Sequence, residues 1–373
     1  MRRTDKEKTL SELRCTAARK GEGYCVMSEK SCIFAAEMPF VEDIRKYRSL
    51  SIVGLEKNTG KTVCLNYLLG RLHELGVSTA VTSIGVDGEQ VDSVYATAKP
   101  EIRLYEGMQF ITSERHYAQR RLVSEILAVG ELRTALGRLV TAQVLCPGKA
   151  LLSGAATTGL LRKQIGQFKR QGVQLTVVDG ALSRLSLASP TVTDAMILAT
   201  GAAVSPNLQQ LISRTRFVFR LINLPEVDES LRGRLSNIAS GLWGIDSDGE
   251  VHDLGIASVF LLGKGEDDLF RYGSTLFAAG AVSDRLLKYL AAQPCIRETV
   301  LVVRDFTKLF ITPEVYAEYT RRGGTLVVLQ HSRLVAVCLN PTSPQGYTLN
   351  SAEACQQLSE ALECPVYDVM KCR

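Results

Sequence analysis

Residues 54–62 read Gly-Leu-Glu-Lys-Asn-Thr-Gly-Lys-Thr, a glycine-bearing turn that ends in a cation and a hydroxyl. In such a turn successive backbone N–H groups point inward at phosphate oxygens, and a helix beginning at its end adds positive potential. Lys61 would supply a mobile full charge, and Thr62 a hydroxyl that can ligate a Mg²⁺ bridging the outer phosphates. The expected contact set for ATP or GTP is Gly54, Glu56, Lys57, Asn58, Thr59, Gly60, Lys61, Thr62 and Val63. The common form of this motif has four residues between its glycines, whereas five separate Gly54 from Gly60.

A chain with 30 glycines could produce such a string by chance. Its context argues otherwise. Leu50 to Gly54 is a short apolar run, and Val63 to Leu75 repeats its apolar residues at helical spacing, so the turn joins a strand to a helix. Gly76 stops that helix, and Val77 to Ile84 reads as a second strand running into Gly85-Val86-Asp87-Gly88-Glu89. Phe110 to Thr112 is a weak strand, Arg120 to Val140 a long amphipathic helix, and Leu160 to Gln171 a further helix. Val173 to Val178 is an apolar strand closed by Asp179-Gly180, followed by a strand at Ala195 to Ala199, a helix at Leu208 to Arg214 and a strand at Phe217 to Asn223. Strands alternating with helices and buried on both faces predict an α/β protein with a doubly wound parallel sheet.

The pattern resets near Leu224-Pro225-Glu226. The expected division is an N-terminal extension over residues 1–47, a P-loop nucleotide-binding domain over 48–225 and a second, smaller α/β domain over 226–373. In the last of these Asp305, Lys308 and the turn Asn340-Pro341-Thr342-Ser343-Pro344 are the polar features beside apolar strands, and turn formation alone would explain that proline-rich stretch. Ser153 to Thr158, with Arg162 and Lys163, could form a second ligand-facing loop or simply a solvated helix start.

The order of elements and the longer turn resemble the P-loop class that contains dethiobiotin synthetase and the cobyrinate amide-forming enzymes. That resemblance covers roughly residues 48–225. It implies that Asp179 holds a Mg²⁺-bound water and acts in hydrolysis with Lys61, that Asp87 serves metal or water positioning, and that Asn223 reads the base edge. An Asp that caps a loop, an ordinary Asp-Gly turn and a capping Asn are the plainer readings of these three. Related partition ATPases carry a signature lysine five residues before the P-loop lysine; here that position is Glu56, with Lys57 displaced by one, so a trans-acting lysine is not implied. The phrases GLEKNTGKT, TSIGVDGE, AKPEIRLYEG, VVDGALSR, ILATGA and NPTSPQGY resemble more narrowly the P-loop reactivating-factor subunit encoded beside lysine 5,6-aminomutase and paired with a MutS-like ATPase.

Bulk properties bound the remaining classes. The first 50 residues hold 11 Lys/Arg against 8 Asp/Glu, leaving 33 against 31 in the rest, which is not the dense basic stripe of a nucleic-acid binder. The charged start MRRTDKEKTLSELR and the absence of a long apolar run predict a cytoplasmic chain with no membrane partner. Ten cysteines occur without a C-x-x-C pair; Cys15, Cys25 and Cys32 cluster but lack zinc spacing, and the four histidines suggest no catalytic triad. Three functions follow: a slow Mg-dependent NTPase that switches affinity for a protein partner, an ATP-dependent small-molecule kinase or ligase of the dethiobiotin synthetase type, and a nucleotide-binding subunit without turnover. A homodimer is compatible with each.

Overall fold

Ser49–Gly54 (β1) is buried at all six positions, although two of them are serines. A strand with no wet face needs neighbours on both edges and cover on both sides. Ile52 faces one apolar cluster and Val53 another, so the pleat alternates between two cores. The computed structural model of the chain describes residues 40–84, 101–181, 188–258, 268–368 and 370–371.

In chain order, the short helix Phe40–Ile44 (α1) precedes β1, and Lys61–Glu74 (α2) follows the glycine turn. Thr79–Ser83 (β2), Ile102–Leu104 (β3) and Gln109–Ser113 (β4) lead to the short helix Glu114–Ala118 (α3). Arg121–Thr134 (β5) and Gly137–Ala150 (β6) form a long hairpin, then come Thr158–Arg170 (α4), Leu175–Ala181 (β7), Ala195–Gly201 (β8) and Leu208–Ile222 (α5). The next stretch holds Glu229–Leu235 (α6), Leu242–Ile245 (β9), Val251–Ile256 (β10), Thr275–Ala278 (β11), Val282–Ser283 (β12), Asp284–Ala291 (α7), Val300–Val303 (β13), Leu309–Phe310 (β14), Pro313–Arg321 (α8) and Thr325–Val328 (β15). Arg333–Asn340 (β16), Ser351–Leu362 (α9) and Val366–Asp368 (β17) complete it.

The larger sheet runs β17-β16-β8-β1-β7-β2-β4-β6-β3, with β5 on β6. Strands from β17 through β4 are parallel; β6 enters antiparallel to β4 and carries β3 and β5 antiparallel to itself. Two strands bearing the expected chemistry are therefore adjacent, since β1 pairs with β7 in register Ile52↔Asp179. The apolar faces of α1 and α2 cover one side of β1, and α5, α9 and the second sheet lie on the other.

Residues 120–140 are not the expected helix. Their apolar positions recur at three and four, yet the segment forms β5, the turn at Gly137 and the start of β6. Four register shifts along the β5–β6 pair insert extra residues, which breaks strict alternation and mimics a helical period. Gly137 adopts φ 92°, and a side chain there would meet the Glu114 carboxylate at 2.6 Å, so the turn requires glycine.

The helix and strand expected over 208–214 and 217–223 are one helix, α5. Asn207 caps it by accepting from the Gln210 amide. Leu211, Ile212, Thr215, Leu221 and Ile222 are its buried residues, while Ser213, Arg214, Arg216 and Arg220 are exposed; the run Phe217-Val218-Phe219 is rich in strand-favouring residues, a local preference that the packing of this amphipathic helix overrides.

The second sheet, β10-β9-β11-β13-β15, has β11, β13 and β15 parallel and β9 and β10 antiparallel. It does not coincide with the expected 226–373 unit. After β15 the chain returns to the larger sheet, where β16 pairs with β8 over Arg333–Asn340, and Cys338 packs its sulfur 3.6 Å from Cys64 of α2. Leu198 of β8, Leu211 of α5, Leu276 of β11, Val303 of β13 and Leu339 of β16 share one apolar cluster.

Candidate phosphate-binding site

β1 ends at Gly54 level with Ala181, the last residue of β7, while β8 runs on to Gly201, and Leu55 still donates its amide to the Ala199 carbonyl at 2.8 Å before the chain turns. Asn58 takes φ 64° and Gly60 φ 88°, two left-handed residues inside one short loop, which turn the peptide groups between them toward a common concavity. Thr59 is fully buried, and its hydroxyl donates to the Glu56 carbonyl at 3.0 Å, closing the turn from within. A Cβ on Gly54 would stand 2.4 Å from Thr59 Oγ1 and 2.9 Å from Lys61 Cγ and Cδ, so the lysine stem lies back across the loop it follows. Gly54 is the residue that this close approach permits.

Gly60 caps α2, whose first bond is Cys64 N–H to the Gly60 carbonyl at 3.0 Å. The amides of Lys61, Thr62 and Val63 precede that bond and belong to the part of a helix that attracts anions. Lys61, Thr62 and Val63 are all half-buried, and Val63 leans on the core around Leu50 and Ile52. Glu56 and Lys57 are exposed; Glu56 pairs with Arg214 of α5 at 3.2 Å. The arrangement can hold a chain of phosphates by backbone amides with one flexible cation.

Asp179 lies on the strand next to β1, flanked on its other side by Ser83 of β2, and its Oδ1 is buried. β7 continues two residues past it to Ala181, so Asp179 is near the strand end rather than at it. Among the described residues no cluster of three or more His, Cys, Asp or Glu could cage a metal. A threonine hydroxyl and a carboxylate are donors of the kind that suit a hard ion completed by phosphate and water. Asp87 lies outside the described residues, as do Cys15, Cys25 and Cys32.

Beyond β7 and β2 stands the loop at 153–157. Ser153 is buried and lies 2.6 Å from His116 Nδ1 and 3.4 Å from the Ser113 hydroxyl. A Cβ on Gly154 would fall 1.5 Å from the Ser83 carbonyl oxygen, and Ala155 bridges Ile84 in parallel. The small residues of this stretch thus serve contact with β2; Thr157 then caps α4, and Arg162 and Lys163 are exposed.

Asn223 is not at a strand end. It is the C-terminal cap of α5, exposed, with its side-chain amide donating to the Phe219 carbonyl at 2.8 Å. Since α5 has 15 residues, that end is about 22 Å along the helix from the β8 turn, and the arrangement does not support base reading there.

An asparagine does reach the loop from elsewhere. Asn340, the last residue of β16, donates its side-chain amide to the Asn58 carbonyl at 3.2 Å and accepts the Thr342 amide on its Oδ1 at 3.1 Å. Its own carbonyl receives the Ala202 amide at 2.8 Å, so the turns after β1, β8 and β16 interlock. In the sequence Asn340 reads as a turn former; the usable signal is a polar residue closing an apolar strand at the sheet's carboxyl edge.

The inserted sheet meets the other edge of the larger sheet, where Ser332 precedes Arg333 and Arg333 pairs with Ala195 at the start of β8. Asp305, buried after β13, accepts from the Ser189 hydroxyl at 2.8 Å and from the Thr307 amide at 2.9 Å, while Ser332 donates to the Ala188 carbonyl. Residues 188 and 189, which follow the Asp179 strand in sequence, are thereby held against the second sheet.

No family model matches the chain, and no curated protein matches it. Among solved structures, that of pNOB8 ParA bound to nonspecific DNA matches with a TM-score of 0.23 and 10% identity over 55% of this chain. The chain spans 64% of that protein's length, and a likeness at this level carries no argument about fold or function. No described helix is long and apolar enough to cross a membrane.

Proposed function

We propose that this protein binds Mg-ATP or Mg-GTP on the loop from Gly54 to Val63 and hydrolyses it slowly, the nucleotide state setting its affinity for a protein partner. The observation that carries the reading is the Gly54–Lys61 packing: a buried central strand, two left-handed loop residues and a lysine folded over the turn that begins a helix. Lys61 would place its charge on the outer phosphates and Thr62 its hydroxyl on Mg²⁺, which supplies charge neutralisation there. Asp179 would hold the metal's water from the adjacent strand.

Partner switching is favoured over small-molecule phosphorylation by one link: Glu56 of the loop pairs with Arg214 of α5. That pair gives the loop a partner on a packed helix, through which differential affinity for two arrangements can be expressed. The phrases quoted above lead us to name a cobalamin-dependent aminomutase, with a MutS-like ATPase, as the partner to test first. The experiment is a pull-down with purified aminomutase in ATP, a non-hydrolysable analogue, ADP and no nucleotide. A change of roughly 5- to 150-fold in affinity is expected. Equal recovery in all four, with rapid phosphorylation of a small molecule, would replace this reading by the kinase-ligase one.

A further inference from the structure

α5 has two working faces. Arg214 turns toward the loop, where it meets Glu56, and Arg216, two residues on, is about 200° around the helix on the opposite side. On that side Arg216, Phe217 and Arg220 form one wall of a groove of about 610 Å³, and Tyr316, Thr320 and Arg321 of α8 form part of the other. Phe217 and Tyr316 meet edge-on at the bottom, centroids 6.0 Å apart at 60°, and both lean on the large apolar core.

The charges along this groove are unequal. Arg321 is paired with Glu318 on its own helix, whereas among the described residues neither Arg216 nor Arg220 makes an ion pair or hydrogen bond. Two exposed guanidinia therefore border an aromatic floor. Burial raises the Tyr316 phenol above its ordinary value against the opposing pull of Arg220. Arginine with aromatic side chains around a partly desolvated trough is the composition at which binding energy concentrates, and the planar forks fit carboxylates bidentately.

We propose that the α5–α8 groove docks an acidic segment of a protein partner, carboxylates on Arg216 and Arg220 and an apolar side chain on Phe217 and Tyr316. The two arginines are one helical turn apart, about 6 Å, matching carboxylates spaced along one segment. Duplex DNA would call for a basic stripe, while 33 Lys/Arg face 31 Asp/Glu outside the first 50 residues. That the docked segment senses nucleotide through Arg214 rests on the function proposed above; the docking itself does not.

The test uses the full chain and fluorescence anisotropy with a rhodamine-labelled peptide of about 12 residues, three helical turns, bearing Glu at four-residue spacing around Leu. Its Gln counterpart and a DNA duplex of similar charge are the other probes. The acidic peptide should bind and the Gln peptide fail. R216E/R220E should weaken binding roughly tenfold or more and R216Q/R220Q less, as charge reversal exceeds charge removal, while Lys288→Glu on α7 leaves it unchanged. Lys61→Ala should retain the peptide, so loss of nucleotide binding and loss of docking are separable. Equal affinity of wild type and both double variants, each folded by circular dichroism, would overturn the groove assignment and leave the nucleotide site standing. Tighter DNA binding abolished by the same variants would make the groove a nucleic-acid site instead.

Discussion

Asn340 donates its side-chain amide to the carbonyl of Asn58 at 3.2 Å across 282 residues of sequence, so the Gly54–Thr62 loop is held from the last third of the chain. Asn340→Ala removes a bond worth about 1 kcal/mol. Nucleotide affinity should fall about fivefold with little change in melting temperature. Calorimetry giving wild-type affinity would mean that the loop holds its shape without β16.

Lys61→Ala should remove most Mg-ATP binding, because concentrated phosphate charge loses its cation. The variant also deletes the stem packed over Gly54, so Lys61→Met is the informative companion. Both variants should lose binding alike. Retention in Lys61→Met would assign the effect to packing rather than charge.

Gly54→Ala forces a methyl to within 2.4 Å of the buried Thr59 hydroxyl. Overpacking of this kind costs about 1–3 kcal/mol. A lower melting temperature together with lost nucleotide binding is expected; a melt and titration identical to wild type would contradict the closed loop.

Asp179→Asn should keep the fold and much of the nucleotide affinity but slow turnover roughly tenfold, since an amide orients a metal-bound water poorly and lacks the negative charge. Steady-state phosphate release is the measurement. Turnover at the wild-type rate would leave Asp179 a structural residue of β7.

Asp246 is held below the ordinary carboxylate range chiefly by its bond to His252, 2.7 Å away, and then by the Glu250 amide. A depressed carboxylate stabilises above its unfolded value near 3.8 and loses that contribution as pH falls through the lower folded value. Asp246→Asn should therefore flatten the acid limb of the melting temperature below about pH 4. An unchanged acid limb in thermal melts across that range would remove Asp246 from the account.

What was legible in the sequence was what local chemistry specifies. The GLEKNTGKT turn, the strand before it and the helix after it lie where spacing put them, because glycines, a terminal Lys-Thr pair and clean periodicity act over a few residues. The apolar strand with Asp179 likewise formed, and register set it beside β1. Residues 120–140 and 217–223 differ from the sequence reading because bulges erase a period of two in one and a run of strand-favouring Phe, Val and Ile masks the helical period in the other. Asn223 and Asn340 are alike as residues, and only the return of β16 to the larger sheet decided that the second meets the loop while the first caps a helix. Strand pairing between segments hundreds of residues apart is set by the fit of whole apolar faces, which no local window of sequence contains.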